Sequence, residues 1–150
     1  MIKLRKYIYW IGSITLLFMC LTGCSADNIQ SKGNQVIVQQ PVESSNQYTL
    51  YRKITDPAQV QAIRNITASI PSNNTIADMV RPPDYKFFFK KKNTDSSDKS
   101  VIYNLWISPH QDQVEIIIIE SKPTYVQLTK KKSAKLFELI TGEKLPGYVE

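Results

Sequence analysis

Residues 101–120 read VIYNLWISPHQDQVEIIIIE, and this stretch decides the fold. It contains two runs rich in β-branched and aromatic residues, Val101–Ser108 and Val114–Glu120, joined by the polar residues Pro109–Asp112. Such runs are typical of strands, and a short polar turn between them predicts an antiparallel pair. The stretch therefore predicts the middle of an antiparallel sheet.

Further strands are predicted on both sides of this pair. They are Tyr48–Ile54, Tyr85–Lys91 and a short run at Tyr125–Leu128. Residues 57–70 have the apolar spacing of a helix, with Asp56 as N-cap and Pro57 at the first helical position. Lys130–Ile140 predicts a second helix, which Gly142 ends.

The predicted order of elements is therefore β-α-β-β-β-(β)-α. Its most economical packing is an antiparallel sheet of three to five strands with the two helices on one face, so the expected fold class is α+β. Residues 48–150 form the expected globular domain. Residues 24–47 are rich in Ser, Gln and Asn and predict a flexible tether, to which Val36–Val38 can add a short strand.

The N-terminus has the pattern of a secretory signal. Residues 1–6 are basic, and residues 7–22 are mostly apolar and uncharged. The apolar run ends in Leu21-Thr22-Gly23-Cys24, and this segment resembles the lipobox of bacterial lipoproteins. That resemblance implies that residues 1–23 are a cleaved signal helix and that the Cys24 thiol carries a diacylglyceryl group. The mature protein would then be anchored at the extracytoplasmic face of the cell membrane. The alternative is an uncleaved anchor helix with an incidental cysteine.

Composition excludes several classes of protein. The chain of 150 residues is long enough for one domain, and Lys3, Arg5 and Lys6 supply half of its net charge of +6. The remaining charge and the exported location disfavour nucleic acid as a partner. One His and two Cys are too few for a typical Cys/His metal site. The sequence also contains no Gly-rich phosphate loop that would point to a nucleotide cofactor. Cys20 would leave with the signal, so no disulfide or cysteine nucleophile is expected.

Two groups of residues suggest chemistry, and each has a simpler explanation. His110 lies near Ser108 and Asp112, but triad catalysis needs such groups assembled in a supported cleft, whereas a turn favours a solvated histidine. Lys130, Lys131 and Lys132 begin a helix, where positive charge opposes the helix dipole, and this conflict marks a candidate anion contact. Two solvated lysine runs, this one and Lys90–Lys92, are the alternative.

The second face of the sheet gives the sharpest indication of function. Phe88 and Trp106 point away from the apolar face of their own strands, and Ile116–Ile119 is apolar on both faces. With Ile116 and Ile118 they form a candidate interaction surface, because an exposed apolar patch usually marks a binding site. The alternative is that the tether, the 71–83 loop or a helix covers this face.

Several segments together resemble the YhfM-type lipoproteins of Gram-positive bacteria. They are the Cys24 lipobox, the helix over 56–70, Pro82-Pro83-Asp84-Tyr85, Leu105-Trp106-Ile107 and Tyr125-Val126-Gln127-Leu128. This resemblance implies the architecture and the location and brings no activity with it. The expected function is a non-catalytic binding module for another protein of the cell envelope. The alternative is a hydrolase or transferase acting on cell-wall or lipid substrates.

Overall fold

The computed structural model of the chain describes residues 33–43, 45–71, 77–92, 101–120 and 122–149. The strands are β1 (Gln35–Pro41), β2 (Tyr48–Ile54), β3 (Tyr85–Lys90), β4 (Ile102–Ile107), β5 (Val114–Ile119) and β6 (Thr124–Gln127). The helices are α1 (Pro57–Ala68) and α2 (Lys130–Thr141). The expected signal helix and Cys24 lie outside the described residues.

The strands form one sheet in the spatial order β2-β1-β3-β4-β5-β6, and every neighbouring pair is antiparallel. The α+β class and the antiparallel sheet are thus confirmed. The sheet has six strands, however, rather than the predicted three to five. The order along the described chain is β-β-α-β-β-β-β-α.

The additional strand is β1. It lies in the stretch expected to be a tether and contains Val36–Val38, the part of that stretch that can add a short strand. Val36 and Val38 have no exposed surface, and β1 pairs with β2 on one side and β3 on the other. The glutamines around these valines give the stretch the composition of a linker. Two hydrogen-bonded neighbours and the burial of two valines outweigh that composition, because strand formation depends on the surroundings more than on intrinsic preference. The folded part therefore begins before residue 48.

Both helices have the ends that their sequences indicate. The Asp56 carboxylate accepts a hydrogen bond from the Gln59 backbone N–H at 2.8 Å, and Pro57 opens α1. This helix ends at Ala68, two residues earlier than predicted, where the Ser69 N–H bonds back to the carbonyl groups of the last turn. Gly142 ends α2 with a φ of 85°, the left-handed conformation that favours glycine.

The two helices pack on the same face of the sheet and share one core with it. From the sheet the core takes Val36, Val38, Phe87, Leu105, Val114 and Ile116, and from the helices Val60, Ile63, Leu136, Phe137 and Ile140. The rings of Phe87 and Tyr103 stack there with their centroids 4.8 Å apart. Since both described helices lie on this face, neither of them covers the other face.

Candidate functional site

The face of the sheet opposite the helices carries a group of apolar side chains from four strands. The strand registers set Ile37 opposite Phe88, and Ile102 opposite Ile119. Ile117 is two residues before Ile119 on the same strand, so its side chain lies on the same face, opposite Tyr125. We call Ile37, Phe88, Ile102, Ile117 and Ile119 the open-face patch.

The open-face patch is most accessible at one end of β4 and β5. Ile102 is 37% exposed and Ile119 is 39% exposed, while Ile37 and Phe88 are half-buried and Ile117 is buried. These two isoleucines face each other across neighbouring strands, so their exposed surfaces adjoin. Such a surface, on a face that neither described helix covers, is a candidate binding surface.

Two of the residues expected on this surface lie on the other face. Ile116 is fully buried opposite Leu105, and Ile118 packs against the helix-covered core opposite Tyr103. A run of four isoleucines shows no alternation, so only the strand register can assign its faces. The turn after β4 sets that register, because it pairs Ile107 with Val114. The isoleucines of the open face are therefore residues 117 and 119.

Trp106 lies on the open-face side of β4, as its position in the strand predicts, but it is only 4% exposed. Its indole Nε1–H donates to the Arg81 carbonyl at 2.9 Å. The Asp84 carboxylate accepts the Ile107 N–H at 2.7 Å, and the Arg81 guanidinium donates to the Ile107 carbonyl at 2.8 Å. Residues 80–84, which we call the clasp, thus cover the half of the face at Trp106. The clasp does not cover the half of the face at Ile102.

The clasp also reaches the edge of the sheet. The Tyr48 hydroxyl donates to the Pro83 carbonyl at 2.9 Å, and the Lys86 ammonium lies 3.6 Å from the centroid of the Tyr48 ring. Burial raises the pKa of Tyr48 and lowers the pKa of Lys86. Opposite Lys86, the Asn104 side-chain oxygen is buried without a hydrogen-bond partner among the described residues. These polar groups separate the clasp from the open-face patch.

The lysines at the start of α2 are engaged within the chain itself. The Lys130 ammonium lies 2.6 Å from a carboxylate oxygen of Asp112, and its hydrogen bond lowers the pKa of that carboxyl group. The Lys132 ammonium donates to the Ser69 hydroxyl at 2.9 Å. Lys131 is exposed. The first two contacts connect α2 with the β4–β5 turn and with the end of α1, which is a structural role.

The residues considered for catalysis form part of a turn. The Ser108 hydroxyl donates to Asp112 at 3.4 Å and accepts the Gln113 N–H at 3.2 Å, and neither contact involves the exposed His110. Both contacts close the β4–β5 turn. Within the described ranges, no group of three or more His, Cys, Asp or Glu residues is arranged to hold a metal ion.

A cavity of about 360 Å³ lies where β1 meets α1. Its lining includes Gly33, Asn34, Thr55, Gln61, Arg64 and Lys92. Arg64 donates to the Gly33 carbonyl, and its guanidinium carbon lies 4.7 Å from the centroid of the Phe89 ring. The Asn34 side chain accepts the Lys92 N–H at 2.9 Å, and the Asn34 N–H donates to the Lys90 carbonyl at 3.1 Å. These contacts fix the position at which the chain enters the sheet.

The fold and its open face define a small α+β domain with a candidate interaction surface on one side of its sheet. The model of the YhfM protein family matches residues 29–146, so the chain belongs to the YhfM family. Neither a curated protein nor a solved structure matches the chain. Of the helices in the described part of the chain, neither α1 nor α2 is long and apolar enough to cross a membrane.

Proposed function

We propose that this member of the YhfM family is a lipid-anchored binding module on the extracytoplasmic face of the cell membrane. Cys24 carries the lipid after removal of residues 1–23, and the open-face patch binds another protein of the cell envelope. The observation that carries the binding role is the pair Ile102 and Ile119. They are opposed and more than one third exposed, on the face that α1 and α2 do not cover.

The lipid anchor is supported by the order of sequence features at the N-terminus. A basic head, an apolar run and the Leu21–Cys24 segment follow one another as a lipoprotein signal requires. Two acyl chains on one cysteine, each contributing about 0.8 kcal/mol per buried CH₂, give stable membrane attachment. Cys24 lies only nine positions before Gly33, where the described structure begins. The anchor therefore keeps the domain near the bilayer.

The binding role is supported by the setting of the open-face patch. Polar residues stand beside it on the same face, with Lys53 opposite Ile37 and Asn104 opposite Ile117. An apolar centre with a polar border is the usual composition of a protein–protein interface. The exposed isoleucines and Phe88 would be the residues that a partner buries.

Metabolic labelling with a radioactive fatty acid tests the anchor. We expect label in the wild-type protein and in Cys20→Ser, and none in Cys24→Ser, because only the Cys24 thiol would be acylated. Both variants remove one thiol, so Cys20→Ser is the matched control. Equal labelling of all three proteins would contradict lipidation at Cys24.

Photocrosslinking in intact cells tests the binding surface. An Ile102→Ser, Ile119→Ser double variant is compared with a Val80→Ser, Val149→Ser double variant, whose valines are exposed outside the open-face patch. We expect a crosslinked envelope protein with the wild type and the control but not with the patch variant. Thermal unfolding establishes beforehand that both variants fold. A crosslinked partner that survives the patch substitutions would contradict the assignment.

A further inference from the structure

The chain enters the sheet at a particular end of it. Gln35, at the start of β1, pairs with Lys90, at the end of β3. The same end holds the start of β4 and the end of β5, because Ile102 pairs with Ile119. It also holds the start of β6, because Thr124 pairs with Ile118. We call this the tether end of the sheet, and the end that carries the β4–β5 turn the far end.

Exposed positive charge is concentrated at the tether end. Its exposed basic residues are Lys53, Lys90, Lys91, Lys92 and Lys122, and the exposed acidic residues described there are Asp56 and Glu120. Residues 93–100, which contain Asp95, Asp98 and Lys99, lie outside the described part of the chain.

The far end has a different balance of charge. Two of its basic side chains are paired with acidic ones, Arg81 with Asp84 and Lys130 with Asp112. Lys131 and Lys132, also at this end, have no ion pair among the described residues. The lysines of the tether end have no such ion pair among the described residues. The domain thus presents more unpaired positive charge at the tether end than at the far end.

The stretch of chain between Cys24 and Gly33 limits how far the tether end can lie from a membrane. Eight residues separate Cys24 from Gly33. An extended chain of this length spans at most about 30 Å, and a flexible coil has a mean span of about 16 Å. Screening at physiological ionic strength has a length of about 8 Å. Because a flexible chain also takes up spans shorter than its mean, lysines at the tether end can approach charged lipid headgroups to within this screening length.

We propose that the tether end docks on an anionic lipid surface through Lys90, Lys91 and Lys92, with Lys53 and Lys122 beside them. The inference rests on the proposed function, because the lipid on Cys24 is what holds this end at the bilayer. Docking turns the far end away from the membrane and leaves the clasp and the β4–β5 turn facing outward.

The test uses the full chain, purified from membranes and reconstituted in two kinds of vesicle. One contains phosphatidylcholine alone, and the other contains one third phosphatidylglycerol. A fluorophore is placed on the exposed Thr55→Cys position at the tether end or on the exposed His110→Cys position at the far end. A quencher attached to lipid headgroups then reports which end lies at the bilayer.

The chain offers a matched pair of charge variants. A triple Lys→Gln variant at positions 90, 91 and 92 removes charge from the tether end, and the same change at 130, 131 and 132 removes equal charge from α2. Each lysine near an anionic surface changes the docking equilibrium about fivefold, so three change it about a hundredfold. We expect phosphatidylglycerol to increase quenching at residue 55, the first triple variant to abolish the increase, and the second to leave it intact.

Two different failures can be told apart. Equal quenching at residues 55 and 110 in phosphatidylglycerol vesicles, or an equal loss in both triple variants, overturns the docking inference and leaves the lipid anchor standing. A chain that washes off phosphatidylcholine vesicles contradicts the anchor, and the docking inference falls with it. An increase in quenching that persists in 1 M salt, where screening acts over about 3 Å, also overturns docking by charge.

Discussion

Replacing Asp84 should release the clasp from the sheet. The Asp84 carboxylate accepts the Ile107 N–H at 2.7 Å and pairs with Arg81, which holds the Trp106 indole through its carbonyl. A hydrogen bond to a charged group contributes about 1.5–3 kcal/mol, whereas the partly exposed ion pair contributes about 0–1 kcal/mol. We therefore expect Asp84→Ala to lower the free energy of unfolding by about 2–3 kcal/mol, since both contacts are lost.

Trp106 makes this prediction visible in fluorescence. The chain has two tryptophans, so a Trp10→Phe background leaves Trp106 as the single emitter. In Asp84→Ala its emission should shift to the red and become more accessible to acrylamide in the folded protein. Asp84→Asn should show a smaller change, because the amide oxygen can still accept the Ile107 N–H.

Urea unfolding measures the loss in free energy of unfolding that accompanies this spectral change. Asp78→Ala is the matched control, since Asp78 is an exposed aspartate just before the clasp. It should leave both the unfolding energy and the emission unchanged. An Asp84→Ala variant that matched the control in both measurements would refute the argument that the carboxylate holds the clasp over Trp106.

Two further predictions concern the pKa of Tyr85 and the hydrogen bond made by the buried Ser133 hydroxyl group. Burial raises the pKa of Tyr85 from 10.0 to about 12, so the unfolded chain ionises first and the unfolding free energy should fall as pH rises through this range. Tyr85→Phe should reduce that slope in urea titrations. Ser133→Ala leaves the Val114 N–H without its hydroxyl partner and should cost about 1–3 kcal/mol in thermal unfolding, while the exposed Ser45→Ala should cost little.

The elements that the sequence predicts correctly are those with local signals. Asp56 and Pro57 start α1 because a cap and a fixed φ act within one turn. The hairpin of β4 and β5 follows from two apolar runs and a short turn. β1 lacks such signals, because Val36 is stabilised by Phe89 and Ile54, which lie far along the chain. The composition around it indicates a linker, in which Val36–Val38 is the single sign of a strand.

The candidate site was predictable only in part. The sequence placed Phe88 on the second face, since alternation along β3 assigns it there, and the structure sets it opposite Ile37. It did not assign the isoleucines correctly, because the turn between β4 and β5, rather than the apolar run, fixes their faces. The burial of Trp106 depends on Arg81 and Asp84, whose contacts with β4 join residues more than twenty positions apart.

The interior position of β1 has a mechanical consequence. It is the first strand of the described chain, and hydrogen-bonded ladders join it to β2 and β3. A force applied through the chain ahead of Gly33 pulls β1 along its own axis and loads both ladders in shear, so many hydrogen bonds share the load at once. The Arg64 guanidinium donates a hydrogen bond to the Gly33 carbonyl, at the position where this force would enter the domain. A pull from this side of the chain thus loads an interior strand, held on both sides, rather than an edge strand.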